Sequence, residues 1–365
     1  MGKRIIALLL IICLTFPLTA CQRTFSISSD KYFGTYSKLD VKMAKDISKE
    51  FDALLKKLNL YLSATVEDSD VDKFNKLEYG QSTEIHELTF EVLNVAKTLY
   101  EITDGYYDPT VYPLVDLWGF TPRFKEDNSN LSMPYDRQKG EDGEYPLPNS
   151  QYIALFKQLV DFEKVVFYAD NGKYYLKKDI MPVSIDGQTY EAKLDLGGLA
   201  KGFACQKVME LVKENKGVEG YFSCGGSSIS VFGKEYVLAI KNPRPENIEG
   251  LTFAQFPIQN LSISTSGDYE NYYFLDGKRY CHVINAKTGY PVKIMDDTNI
   301  VSATLLGDNP AILDGLSTAI MCMEENKAIE LLNSLNVKYV IVKDDLSVLA
   351  NVPNLKITND IFKMG

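Results

Sequence analysis

The chain reads as an α+β fold, a single large domain of mixed or antiparallel sheets packed with helices. Three observations predict it. Apolar residues recur at helical spacing in several segments, as in Leu88, Val92, Val95, Ala96 and Leu99. Short β-rich runs are separated by turn dipeptides, Asn171-Gly172 and Asp186-Gly187 among them. Strand and helix runs also follow one another without regular βαβ alternation, which argues against a parallel α/β sheet.

In chain order, residues 40–59 place Met43, Ile47, Phe51, Leu54, Leu55 and Leu58 at helical spacing, which predicts an amphipathic helix. A second helix is expected over 84–102, capped by Ser82 or Thr83 and ended before Gly105. Residues 121–150 are rich in Pro, Gly, Asn and charge and read as a surface excursion. Asn149 or Ser150 then caps a helix through about Asp161. Val165–Ala169 and Lys173–Lys177 flank Asn171-Gly172 as a hairpin. A helix is expected from the 195–202 segment through residue 214, with Ala200, Ala204, Val208, Leu211 and Val212 on its apolar face. Strands follow near 221–232, 235–241, 252–258 and 299–306. A helix over 308–323 is capped by Asp308, with Pro310 in its first turn. A helix at 324–335 and a strand at 337–342 close the domain.

The chain has 365 residues, 39 Lys and Arg against 49 Asp and Glu, and a net charge of −10, with no long basic run. Nucleic acid is therefore not an expected partner. The first 20 residues read as a lipoprotein signal peptide. Lys3 and Arg4 precede an apolar run from Ile5 to Phe16, too short to span a bilayer comfortably, and Leu18-Thr19-Ala20 leads to Cys21. Cys21 is the expected lipidation site, residues 21–30 a polar tether, and 31–365 the folded domain. Lipid chains would hold the protein on the membrane without crossing it, on the extracytoplasmic face. Cys205, Cys224, Cys281 and Cys322 show neither CxxC nor zinc spacing and read as buried thiols.

Four segments could carry chemistry. Asp195-Leu196-Gly197-Gly198-Leu199-Ala200-Lys201-Gly202 sets two glycines just before a helix N-terminus, where N–H groups and the macrodipole favour anions. A glycine turn needed only for packing would look the same. In 308–323, Asp314 and Thr318 lie one helical turn apart and share a face. Such hard oxygen donors suit Mg²⁺, although a satisfied Asp and a back-bonded Thr fit as well. In 262–291, His282 could pass protons near neutral pH, or be a core histidine. Ser264-Thr265-Ser266-Gly267-Asp268-Tyr269 reads as a small-residue turn after a strand. His86 reads as solvated or capping. In 104–120, the aromatic residues beside the turn could stack on a planar ring or fill the core.

Taken in this order, DGYYDPTVYPLVDLWGF, DLGGLAKGFA, STSGDYENYYFLDGKRYCHVINAKTGYPV and DGLSTAI resemble the ApbE family of FAD:protein FMN transferases, from about Tyr32 to beyond Thr318. The resemblance implies a T-fold-like domain, FAD as substrate and Mg²⁺. It implies transfer of FMN to a threonine hydroxyl of an acceptor flavoprotein, with release of AMP. Many members of the family are lipoproteins. By the same resemblance, the metal ligands are the Gly198 carbonyl, Asp314 and Thr318. Flavin contacts map onto Phe33, Thr65, Tyr106, Tyr107, Asp108, Asp195, Lys201 and Ile284. His282 is expected to take the acceptor proton, with Asp268 as the alternative. Relatives often carry Met at Phe33, Asp-Pro at Asn285-Ala286 and a larger residue at Thr65. The same metal and pyrophosphate geometry would also serve hydrolysis of FAD to FMN and AMP. A lipoprotein that binds FAD without catalysis is a further alternative.

Overall fold

The structure, a computed structural model, describes residues 22–121, 147–295 and 298–365. The expected signal peptide, Cys21 and nearly all of the 121–150 excursion lie outside the described residues.

Two strands open the chain, β1 (Arg23–Ser29) and β2 (Ser37–Met43), followed by α1 (Ser48–Leu62), α2 (Asp70–Lys76), β3 (Ser82–Ile85), α3 (Glu87–Ile102), α4 (Tyr112–Leu117) and α5 (Ser150–Phe156). Next come β4 (Val165–Asp170), β5 (Lys173–Lys178), β6 (Val183–Ile185), β7 (Gln188–Tyr190) and α6 (Gly197–Glu214). The central run holds β8 (Glu219–Cys224), β9 (Ser228–Phe232), β10 (Tyr236–Lys241), β11 (Thr252–Ile258), β12 (Ser262–Gly267), β13 (Tyr272–Leu275), β14 (Lys278–Cys281) and β15 (Ile300–Gly307). The chain ends with α7 (Pro310–Met321), α8 (Glu325–Ser334), β16 (Lys338–Lys343), β17 (Ser347–Ala350), β18 (Lys356–Ile357) and β19 (Lys363–Met364).

A nine-stranded sheet organises the fold, in the order β1-β2-β8-β9-β12-β15-β16-β17-β19. Every neighbouring pair is antiparallel except β17 with β19. Alternation along its strands sends side chains to two cores. Leu305 and Ile341 join the larger core with α6 and α7. Their neighbours Leu306, Val340 and Val342 join a smaller core under β10 and β11, which with β18 form a separate three-stranded sheet. The α+β class is as expected.

Several boundaries differ from the sequence reading, each for a physical reason. Residues 40–43 are strand, not helix: Leu39, Val41 and Met43 are buried at period two and pair with β1 and β8. The expected tether is largely β1, paired with β2 along all seven residues. The 84–102 helix starts at Glu87 because His86 is its cap, its Nδ1 accepting from the Leu88 N–H at 3.0 Å. The capping alternative read for His86 is thus the one observed. Residues 221–232 form two strands, because Gly225 and Gly226 take φ of +67° and +71° and turn the chain. Residues 264–267 belong to β12, with the turn after it. Asn309, not Asp308, caps α7. The helix after Asn149 runs only to Phe156 before 3₁₀ turns. The strand at 337–342 does not close the domain, since three more strands follow it. The Asn171-Gly172 and Asp186-Gly187 turns form as expected, with positive φ at all four residues. Cys205, Cys224, Cys281 and Cys322 are buried and no disulfide joins them.

The closest helix contact is between α6 and α7. A Cβ on Gly202 would stand 2.1 Å from the Pro310 carbonyl oxygen and 2.6 Å from the Asp314 Cβ. Backbone cannot yield as a flexible side chain can. Gly202→Ala is therefore expected to push the helices apart and cost about 3 kcal/mol or more. Urea unfolding of variant and parent measures it, and an unchanged midpoint would mean that this seam relaxes freely.

Candidate active site

A cavity of about 510 Å³ opens where the α6–α7 seam meets the loops at one end of the sheet. Its wall takes Phe33 and Thr35 from the β1–β2 loop, Tyr106, Tyr107 and Asp108 from the turn after α3, and Asp195, Gly198 and Lys201 from the start of α6. Gly225 and Ser227 come from the β8–β9 turn, and Thr265 and Ser266 from β12. Glu270, His282, Ile284, Asp314 and Thr318 complete it. Eleven of the thirteen expected metal, flavin and catalytic positions thus face one space: Phe33, Tyr106, Tyr107, Asp108, Asp195, Gly198, Lys201, His282, Ile284, Asp314 and Thr318.

Two positions do not. Thr65 is exposed beside Ser63, whose Oγ lies 3.1 Å from its hydroxyl, and is absent from the wall. Asp268 is buried away from the wall. Both its oxygens are held by Arg244, at 2.6 and 2.8 Å, and Lys293 lies 3.0 Å from Oδ2. With both oxygens turned to these two cations, Asp268 does not face the cavity in which the alternative catalytic role would place it.

Gly197 and Gly198 occupy the first turn of α6, not the loop before it. Asp195 Oδ1 accepts from the Gly197 N–H at 2.8 Å. The Gly198 N–H has no partner among the described residues. A Cβ on Gly198 would stand 3.8 Å from Thr318 Oγ1 and 3.5 Å from Tyr107 Cε2. These are ordinary contact distances, so Gly198 lies beside the Thr318 face of α7 without a close approach that demands glycine.

Asp314 is 3% exposed and held from two sides. Its Oδ2 accepts from the Gly202 N–H at 2.9 Å, and its Oδ1 from Ser228 Oγ at 2.9 Å. Each oxygen keeps a further lone-pair direction after one bond. Ser264 Oγ in turn donates to Ser228 Oγ at 3.2 Å. Ser266 Oγ lies 2.8 Å from Ser317 Oγ and 3.2 Å from Thr318 Oγ1. The sequence reading missed this serine scaffold. Its signal was available: Ser228 and Ser230 on one strand, Ser262, Ser264 and Ser266 on the other, each at the period of two that faces residues the same way.

The charges are unbalanced. Lys201 stands beside Asp195 and Asp314. The Asp314 carboxylate is the main reason its ammonium is held above its ordinary range. Burial raises Asp195, partly offset by the Gly197 N–H and by Lys201. Tyr107 is buried and its hydroxyl has no hydrogen-bond partner among the described residues. Burial first, then the charges of Asp195, Asp314 and Asp108, hold it well above its usual value. Such an orphaned donor suits a ligand acceptor. His282 Nδ1 lies 3.3 Å from the Asn271 carbonyl oxygen. A carbonyl only accepts, so this contact calls for the proton on Nδ1.

Among the described residues no three His, Cys, Asp or Glu side chains converge as a metal cage. Mg²⁺ does not require one, since it keeps waters and binds through one or two carboxylates plus substrate phosphates. The Asp314 carboxylate and Thr318 hydroxyl beside Gly198 fit that donor set.

Asp108 accepts from the Thr110 N–H and hydroxyl, at 2.8 and 2.5 Å, and from the Phe162 N–H at 3.2 Å. Burial outweighs these bonds and raises its pKa to about 6. A raised carboxyl favours the folded state when protonated, so its contribution is full below the ordinary value near 3.8 and is lost as pH rises through about 6. Asp108→Asn should flatten the fall in unfolding free energy between these pH values by about 3 kcal/mol. Denaturant titrations at pH 4 and 7 test this, and an unchanged difference between the two would exclude it.

Comparison with known proteins gives the family. The ApbE family profile matches residues 33–341. A Haemophilus influenzae protein named FAD:protein FMN transferase is 28% identical over 360 residues, spanning 94% of each chain. One of the same name from Buchnera aphidicola subsp. Schizaphis graminum is 30% identical over 271 residues, 73% of this chain and 70% of its own. Among solved structures, the Thermotoga maritima ApbE protein superposes with a TM-score of 0.71 at 24% identity, over 90% of this chain and 97% of that one. The apo flavinyl transferase ApbE of Pseudomonas stutzeri gives 0.69 at 22%, over 94% and 98%. With the family profile covering most of its length and the fold shared throughout, this chain belongs to the ApbE family.

Proposed function

We propose that this protein transfers the FMN moiety of FAD to a threonine hydroxyl of an acceptor protein and releases AMP, with Mg²⁺ at Asp314, Thr318 and the Gly198 carbonyl. The observation that carries it is the meeting of the Gly198 turn with Asp314 and Thr318 on one cavity wall, beside Lys201. The names of the relatives supply the reaction class. The charge balance supports the metal. One lysine already facing the Asp195 and Asp314 carboxylates cannot neutralise a pyrophosphate.

Phosphoryl transfer needs position and charge neutralisation more than covalent help. The bound cation would withdraw charge from the phosphate oxygens. Ser228 and the Gly202 N–H hold the Asp314 carboxylate in place. Lys201 and the open first turn of α6 take negative charge from the pyrophosphate. Phe33, Tyr106 and Ile284 offer apolar contact for the flavin rings, and the Tyr107 hydroxyl a donor. Phe33 adopts φ +59°, uncommon for a non-glycine, which aims the loop at the cavity. His282 accepts the proton of the acceptor hydroxyl. The new bond joins the threonine oxygen to the FMN-side phosphorus, and the bond from that phosphorus to the bridging oxygen breaks, so that oxygen leaves with AMP.

The lipid anchor at Cys21 forms part of the proposal. It rests on Lys3-Arg4, the apolar run after them and the small residues before Cys21. No helix among the described residues is long and apolar enough to cross a membrane. Because β1 begins at Arg23, an anchor at Cys21 would keep the domain close to the bilayer surface on the extracytoplasmic face.

Mixing the protein with FAD, Mg²⁺ and an acceptor domain should leave fluorescent flavin on the acceptor after denaturing electrophoresis, with one AMP per flavin. Free FMN with no labelled acceptor would instead mean hydrolysis. Asp314→Ala should lower transfer at least a hundredfold, whereas undiminished turnover would reject it as a ligand. His282→Ala should keep FAD affinity within about threefold and slow transfer 10²–10⁴-fold, the usual range for general acid–base catalysis. An unchanged rate would remove histidine from the mechanism.

A further inference from the structure

We propose that the open edge of β10 docks the acceptor polypeptide, which adds to it as an extended strand and passes its hydroxyl-bearing residue by Gly225 into the cavity. This rests on the transferase reading and names where the protein substrate lies.

β10 is the outer strand of its three-stranded sheet and, among the described strands, pairs only with β11. The register sets Val237 opposite Pro257, which has no N–H. That pair cannot exchange both ladder bonds, so it is a non-hydrogen-bonded pair, and so is Ala239 with Gln255 two residues on. The N–H and C=O of Val237 and Ala239 therefore point away from β11. No described strand pairs with that side.

The space beside this edge leads to the chemistry. A hollow of about 590 Å³ lies against Tyr36, Tyr221, Tyr236 and Val237. A second, of about 190 Å³, lies along Leu238–Lys241. The two share Gly225, Gly226, Ile229 and Leu238. The second also shares Gly225, Ser227, Thr265 and Glu270 with the active-site cavity, so the groove and the cavity have a common wall. Val237 is 65% exposed and Tyr36 56%, so apolar surface flanks the bare backbone.

A bare edge of this kind is normally blunted by charge, proline or a bulge. Here the only irregularity is the shift at Ile240/Lys241, at the end nearest Glu270, which pairs with Lys241 at 3.1 Å. The strand is left open along its middle and stops being regular where the groove meets the cavity. An added strand gains affinity from main-chain bonds and selectivity from alternate side chains. Six residues against β10 would span about 20 Å.

The probe is a synthetic peptide library with one fixed central threonine and randomised flanks, scored for covalent flavin. Val237→Pro and Ala239→Pro each remove one outward N–H and leave the β10–β11 bonds intact. Both should lower kcat/KM for peptide labelling at least tenfold, with FAD affinity from flavin fluorescence and the melting temperature close to the parent's. A second measurement uses the unaltered protein. N-methylation scanned along a labelled peptide should slow labelling at every other backbone position, the period of a paired strand. Labelling at the parental rate by both proline variants, or N-methyl effects without alternation, would overturn the docking site and leave the transferase reading standing. A parent protein that binds FAD yet labels no peptide or acceptor domain would instead sink the transferase reading, and this docking site with it.

Discussion

The contact between α6 and α7 is the constraint on which the site depends. With no side chain at Gly202, the backbone of α6 comes within bonding distance of the Asp314 carboxylate. The same approach brings Gly198 beside Thr318, one helical turn further along α7. A methyl group at 202 would separate the helices where a carboxylate, a hydroxyl and a backbone turn must meet. Glycine normally weakens a helix interior by about 1 kcal/mol, so its use here reflects packing and not helix formation.

Around that seam the protein holds more negative than positive charge. Asp195 and Asp314 stand near one lysine, and the Tyr107 hydroxyl is buried with no partner among the described residues. Buried donors and carboxylates that are not mutually satisfied are costly to a fold. Their concentration on one cavity wall marks it as a ligand site. The serine scaffold on β9 and β12 acts in the opposite sense, satisfying Asp314 so that its position is set before any ligand arrives.

The large sheet separates two tasks. Its helical face carries the seam and the cavity wall. Its other face is covered in part by β10, β11 and β18, leaving the groove beside β10. The Gly225-Gly226 turn stands where the two meet, since it lines both the cavity and the hollows beyond it. Small residues with positive φ make that passage close to the backbone.

Much of the molecule was legible in the linear chain. The Asn171-Gly172 hairpin, the stripe of α3 and the α+β class follow from local periodicity and turn chemistry, and motif resemblance picked out eleven residues that face one cavity. Failures came where local patterns compete. Leu39, Val41 and Met43 run directly into a helical stripe, and only pairing with β1 and β8 makes them strand. Asp268 follows a promising run of small residues, but Arg244 and Lys293 reach it from distant segments. Sequence alone determined which residue types are available and which share a helix or strand face, because those depend on neighbours a few residues apart. Only the tertiary structure decided that Gly198, Asp314 and Thr318 meet, that Ser228 holds the carboxylate, and that β10 keeps an open edge. Those depend on contacts between residues far apart in the chain, which no local period encodes.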